Sequence, residues 1–138
     1  MIVVAAALFD DEGRVLVQQR PDGKPMAGLW EFPGGKVEPG ELPEAALVRE
    51  LEEELGVSVN PADLAPLTFA SAALGDRHLL LMLYECREWD GTPVAHHASG
   101  LEWVAVRHLR SLAMPPADGP LVTHLERLMA ETSSIPSM

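Results

Sequence analysis

The stretch from Leu42 to Leu55 constrains this chain more than any other. Pro43 suits the first turn of a helix, where its missing N–H costs nothing. Gly56 is a natural left-handed stop, so the whole stretch is predicted as one helix. At about 100° per residue, Leu47, Val48, Leu51 and Leu55 share one arc, and Glu50, Glu53 and Glu54 share a second, centred about 120° away. One face can enter a core while its neighbour carries three carboxylates at i, i+3 and i+4. Like charges at those spacings disfavour a helix by a few tenths of a kcal/mol per pair. Two readings stand side by side: a solvated acidic face, or a patch for oxygen-seeking Mg²⁺ or Mn²⁺. Between residues 35 and 57, seven glutamates face one lysine and one arginine, which places five of the chain's eleven net negative charges in one spot. Just upstream, Pro33-Gly34-Gly35 permits close backbone approach, and Gly35 can offer a carbonyl to a cation. Glu41 and Arg49 bracket the start and middle of the helix and can hold the preceding loop against it.

At 138 residues the chain fits one domain, predicted over residues 1–131, with 132–138 as a frayed tail. The single cysteine, Cys86, excludes an intramolecular disulfide and a thiolate zinc cluster, and makes a reduced, cytoplasmic setting the expectation. The longest apolar runs, Ile2 to Phe9 and Leu79 to Leu83, fall far short of the ~20 residues of a membrane span. No basic segment precedes an apolar stretch, so no secretory signal is expected. A net charge of −11 repels nucleic-acid backbones and argues against polymer binding. Small phosphorylated ligands stay open, because bound divalent cations reverse the sign of an acidic site.

Strands are predicted at 2–9, 14–20, 29–32, 67–74, 78–87 and 102–106, with turns at residues 10–13, 75–76 and 89–92. Leu121, Val122, Leu125, Leu128 and Met129 recur at helical spacing and predict a terminal helix over 121–131. This mixture implies an α+β fold.

Gly35-x5-Glu41-x7-Arg49-Glu50-Leu51-x-Glu53-Glu54-x-Gly56-Val57 matches the Nudix box at all seven fixed letters and both aliphatic positions. The chain therefore resembles the Nudix hydrolases. The likeness extends over Val3 to Phe9, Gln18 to Pro21, Gly28 to Lys36, Asp76 to His78 and Met114 to Asp118, and points to the MutT-like branch. It implies the Nudix fold, an α/β/α sandwich around a mixed β-sheet. It also implies hydrolysis of a nucleoside triphosphate to the monophosphate and pyrophosphate, with Mg²⁺ as cofactor and Mn²⁺ as the alternative. A monomer or weak dimer is expected, with no membrane and no polymeric nucleic acid as partner.

Carried over residue by residue, the resemblance implies a metal shell of Glu50, Glu53, Glu54 and the Gly35 carbonyl. It implies Glu41 and Arg49 as the structural pair of the box, and Arg20, Lys36 and Arg77 as contacts to phosphate or sugar. An arginine beside an acidic site serves as readily as a salt-bridge partner. Glu53 or Glu54 is the first choice for the group that takes the proton. MutT-like relatives often supply a further Glu before the penultimate strand. Aligned on Glu102-Trp103, that slot holds His97, which can be base, ligand or bystander.

Asp118 lies in Pro-Pro-Ala-Asp, where relatives specific for oxidised guanine commonly have Asn. An ionised Asp only accepts hydrogen bonds. It can take the N1–H and N2–H₂ edge of a guanine or the N4–H₂ of a cytosine. It can also cap the terminal helix. Phe32 and Leu29 are candidates to wall the base. The main expectation is an 8-oxo-dGTP pyrophosphohydrolase. The alternatives are a CTP or 5-hydroxy-dCTP pyrophosphohydrolase, then another nucleoside-diphosphate hydrolase, then a domain that senses nucleotides without cleaving them.

Overall fold

Alternation along the first strand sets the layering. In β1 (Ile2–Leu8), Val4, Ala6 and Leu8 pack with Leu47, Leu51 and Leu55 of α1 (Pro43–Leu55). Ala5, Ala7 and the adjoining Phe9 pack with Leu121, Val122 and Leu125 of α2 (Gly119–Ser134). Successive side chains point to opposite faces of a sheet, so one strand buried on both faces forces a helix onto each side. This is the expected α/β/α sandwich. The computed structural model describes residues 1–134, of which 132–134 by their backbone alone.

The remaining strands are β2 (Arg14–Gln19), β3 (Trp30–Glu31), β4 (Gly34–Lys36), β5 (Ala65–Leu74), β6 (Arg77–Cys86) and β7 (Gly100–Ala105). They form two sheets rather than one. A mixed sheet has the order β4-β1-β6-β5, with β1 and β6 parallel at its centre, and an antiparallel sheet has the order β3-β2-β7. Among the described residues an isolated bridge between Phe9 and Val15 joins them.

Strand β4 departs from expectation. No strand is predicted between 29–32 and α1, yet Gly34 to Lys36 pairs antiparallel with β1, Gly35 opposite Val4. A Cβ on Gly34 would overlap the Val4 carbonyl, so the glycine serves close strand approach rather than a turn. Helix α1 matches its expected length within one residue. Pro43 follows Leu42 as N-cap, and Gly56, at φ +71°, ends the helix by donating its N–H to the Glu52 carbonyl. Val48 is half-buried, and Ala46 is fully buried in the core beside Leu47, Leu51 and Leu55. Helix α2 starts at Gly119 and runs to Ser134, past both expected ends. The rest of the expected frayed tail lies outside the described residues.

Cys86 is buried, and its thiol donates to the Glu88 carbonyl. Burial pushes the thiol pKa up, as for a structural cysteine. Among the described residues no helix is long and apolar enough to cross a membrane.

Candidate active site

Helix α1 lays its second half against β4, and one guanidinium organises the join. Arg49 grips Glu41 with two bonds, Nε to Oε2 at 2.8 Å and Nη2 to Oε1 at 3.0 Å. Its Nη1 donates to Glu50 Oε1 at 2.9 Å and, more weakly, to Glu53 Oε2 at 3.4 Å. Its Nη2 also reaches the Lys36 carbonyl at 3.2 Å. Hydrogen bonds from Arg49, and then from the Glu38 N–H, hold the Glu41 carboxyl down to about 2. A bidentate pair of this kind fixes geometry as well as energy. Glu41 and Arg49 thus lock the loop before α1 to the helix and to β4.

Glu54 points inward. Its Oε2 accepts from Gln18 Nε2 at 2.9 Å and from the Gly34 N–H at 3.1 Å. Burial lifts its carboxyl to about 7, with a further push from the charge of Glu50, and those two hydrogen bonds only partly offset it. Glu50 is half-buried, and burial raises its pKa despite Arg49. Glu53 is exposed. Among the described residues no three His, Cys, Asp or Glu side chains gather around one point as a finished metal shell. The box glutamates share a helix face, but Glu50 and Glu53 turn to Arg49 while Glu54 turns to Gln18 and Gly34.

The donor set nevertheless fits a hard divalent cation. All its atoms are oxygens. A Cβ at Gly35 would overlap the Glu50 carboxyl, so the glycine backbone and that carboxylate adjoin with no side chain between them. Two carboxyls raised by burial are two that a cation would stabilise in their charged form.

A cavity of about 630 Å³ opens beside this turn, lined by Gly34, Gly35, Lys36 and Glu54 and also by Arg20, Glu31, Arg77 and Asp118. Of the expected substrate contacts, Lys36 and Arg77 are exposed at the cavity, and among the described residues neither makes an ion pair. Arg20 is engaged. Its Nη2 pairs with Glu31 at 2.9 Å, its Nε bonds the same oxygen at 3.0 Å, and its Nη1 reaches the Pro25 carbonyl at 3.3 Å. Phe32 is both core and wall. Leu29 does not line the cavity, and Met26, Leu79 and Leu81 supply its apolar surface instead.

Asp118 is 6% exposed. Its carboxylate makes no hydrogen bond among the described residues, so it does not cap α2 as one reading had it. Burial first, and the charge of Glu31 second, lift it to about 7 against the pull of Arg20. The Asp118 carboxyl lines the cavity without a hydrogen-bond partner among the described residues.

His97 lines a small neighbouring cavity with Gln18, Glu31 and Glu54. Its neighbour His96 donates from Nδ1 to the Glu53 carbonyl at 3.0 Å. Sequence reasoning gave no role to Gln18, Glu31 or His96. Glu31 carried a signal, as the one polar residue in the predicted strand at 29–32, whereas Gln18 shares its strand with Arg14 and Gln19 and carried none. His96 carried none.

A NUDIX domain model matches residues 1–125 of the chain. The chain is 37% identical over 137 residues to the CTP pyrophosphohydrolase of Escherichia coli K12, covering 99% of this chain and 98% of that relative. It is 32% identical over 126 residues to the 8-oxo-dGTP diphosphatase of the same strain, covering 91% and 96%. Its fold superposes with a TM-score of 0.77 on a MutT structure from work on Aliivibrio salmonicida and Vibrio cholerae, at 32% identity over 91% of this chain and 96% of that one. With every box position present and buttressed as described, the chain belongs to the NUDIX family, as a hydrolase of its MutT-like branch.

Proposed function

We propose that this chain is a Mg²⁺-dependent nucleoside triphosphate pyrophosphohydrolase that cleaves oxidised nucleotides such as 8-oxo-dGTP to the monophosphate and pyrophosphate. One observation carries the reading: a single cavity is lined both by Asp118, an unpartnered buried acceptor, and by the Gly35–Lys36–Glu54 rim. A nucleotide with its base at Asp118 would present its phosphates to the carboxylate turn.

Glu50, Glu53, Glu54 and the Gly35 carbonyl would hold the cation. When bound, it supplies charge neutralisation of the triphosphate, stabilisation of charge developing on the bridging oxygen, and a lowered pKa for water. Lys36 and Arg77, free of ion pairs among the described residues, bind phosphate or sugar oxygens. Arg20 instead ties Glu31 and the loop at Pro25 into the cavity wall. Glu41 and Arg49 keep the turn rigid, so the water is positioned rather than searched for. Glu54 keeps one oxygen outside its bonds to Gln18 and Gly34, which leaves it a lone pair to take the proton. His97, in the same small cavity, is the other candidate.

A second reading rests on the same Asp118. In its ionised form the Asp118 carboxylate meets the amino group of a cytosine as well as a guanine edge, and the relative of 37% identity is a CTP pyrophosphohydrolase. The test is a panel of 8-oxo-dGTP, dGTP, CTP, 5-hydroxy-dCTP and ADP-ribose with Mg²⁺, ranked by kcat/KM for the wild type and for Asp118→Asn. An oxidised purine ranked first, with the order changed by the substitution, supports the main reading. A cytosine nucleotide ranked first moves the assignment to the alternative. An order untouched by Asp118→Asn places Asp118 outside the base site.

A further inference from the structure

An α-helix leaves its last four carbonyls without a partner inside the helix. In α1 all four are taken, and a single distant segment takes three of them. The Glu52 carbonyl accepts from the Gly56 N–H at 2.9 Å, within the helix stop itself. The Glu53 carbonyl accepts from His96 Nδ1 at 3.0 Å. The Glu54 carbonyl accepts from the His96 N–H at 3.1 Å, and the Leu55 carbonyl from the Val94 N–H at 3.0 Å. His96 thus holds, with ring and backbone, the two residues whose carboxylates stand at the centre of the site. The segment then leads directly into His97, beside Glu54 and Gln18.

Gly56 contributes to the same arrangement. Its φ of +71° favours glycine on its own account, but a Cβ there would also overlap the His96 imidazole. The glycine of the box therefore both ends the helix and leaves room for the ring. Because a carbonyl oxygen only accepts, the hydrogen of the neutral His96 ring sits on Nδ1.

We propose that His96 is a positioning residue, clamping the 94–97 segment onto the last turn of α1 so that Glu53 and Glu54 keep their orientation and His97 its place beside them. The proposal deepens the reading of those glutamates as cation ligands and rests on it. A merely exposed histidine would have neither a fixed tautomer nor an effect on turnover.

The test pairs His96→Ala with His96→Asn, whose side-chain amide can still donate toward the Glu53 carbonyl. Nitrogen-15 spectra of the metal-free wild type, recorded where histidine is neutral, are expected to show His96 as the Nδ1–H form. Amide exchange at Val94 and His96 is expected to be slow in the wild type, fast in His96→Ala and slow again in His96→Asn. In the Mg²⁺-supported assay, His96→Ala is expected to lower kcat about 10–100-fold, the usual cost of removing a group that orients a ligand. KM for the nucleotide should stay within about twofold, and His96→Asn should recover most of the loss. An Nε2–H ring with fast amides overturns the clamp. Intact spectra with unchanged kcat in His96→Ala overturn its positioning role. A Glu53→Gln control separates the two levels: full turnover there sinks the cation-site reading itself, while the spectra and exchange still report on the clamp.

Discussion

Asp118→Asn should make the ligand-free protein more stable, and increasingly so as the pH rises. The two side chains have nearly the same shape, so the change removes a charge and little else. In the folded protein the Asp118 carboxyl is lifted from an ordinary 3.8 to about 7, by burial above all. The folded state therefore holds a proton that the unfolded state releases near 4. Between those values folding takes up a proton, so stability falls as pH rises toward 7 and is level above it. The full span is worth about 4 kcal/mol at 1.36 kcal/mol per pKa unit, an upper bound. From about pH 5.5 upward, roughly one and a half units remain to be lost, or about 2 kcal/mol. The asparagine variant has no such loss. Its advantage over the wild type should grow by about 2 kcal/mol between roughly pH 5.5 and pH 8.5, read from urea unfolding with chelator and no nucleotide. An advantage independent of pH, or a variant less stable than wild type at the upper end, would refute the reasoning from burial.

Gly35→Ala adds a methyl where the Glu50 carboxyl lies, and is expected to raise the Mg²⁺ concentration for half-maximal turnover about 10–100-fold while the chain still folds. An unchanged Mg²⁺ dependence would separate Gly35 and Glu50 from the cation. His97→Ala separates the two candidates for the proton: a kcat lowered by about 10²-fold, as the loss of a proton acceptor would give, assigns the role to His97. Unchanged turnover and an unchanged pH profile would remove His97 from the mechanism and leave Glu54 in that role. Glu53→Gln is expected to lower kcat by orders of magnitude with its melting temperature unmoved, because Glu53 is exposed and its one side-chain bond, to Arg49, is long.

Helix α1 was legible because its information is local. The 3.6-residue period put Leu47, Leu51 and Leu55 on one side and Glu50, Glu53 and Glu54 on another. Gly56 marked the end that the structure shows. The short strand at Gly34 to Lys36 was not legible, since a glycine pair suggests a bend until a partner strand is present to pair with it. Arg20 illustrates the same limit. Substrate contact and salt-bridge partner both stood open for it, and only the fold brings Glu31 and the Pro25 carbonyl to its guanidinium. Gln18 reaches Glu54 across 36 residues of sequence, and His96 reaches Glu53 across 43. No periodicity reports contacts at such separations.

The sequence by itself determined the kind of chemistry. Three carboxylates on one helical face, beside a glycine and behind a Glu–Arg pair, are set by side-chain type and by the geometry of a single helix. The tertiary structure alone decided the state of each group. Burial under neighbouring elements lifts Glu54 and Asp118 to near neutrality. Packing of α1 against β4 brings the Glu50 carboxyl to where a Cβ on Gly35 would lie. Desolvation and close approach depend on what the rest of the chain brings alongside, and that is fixed only when the layers close.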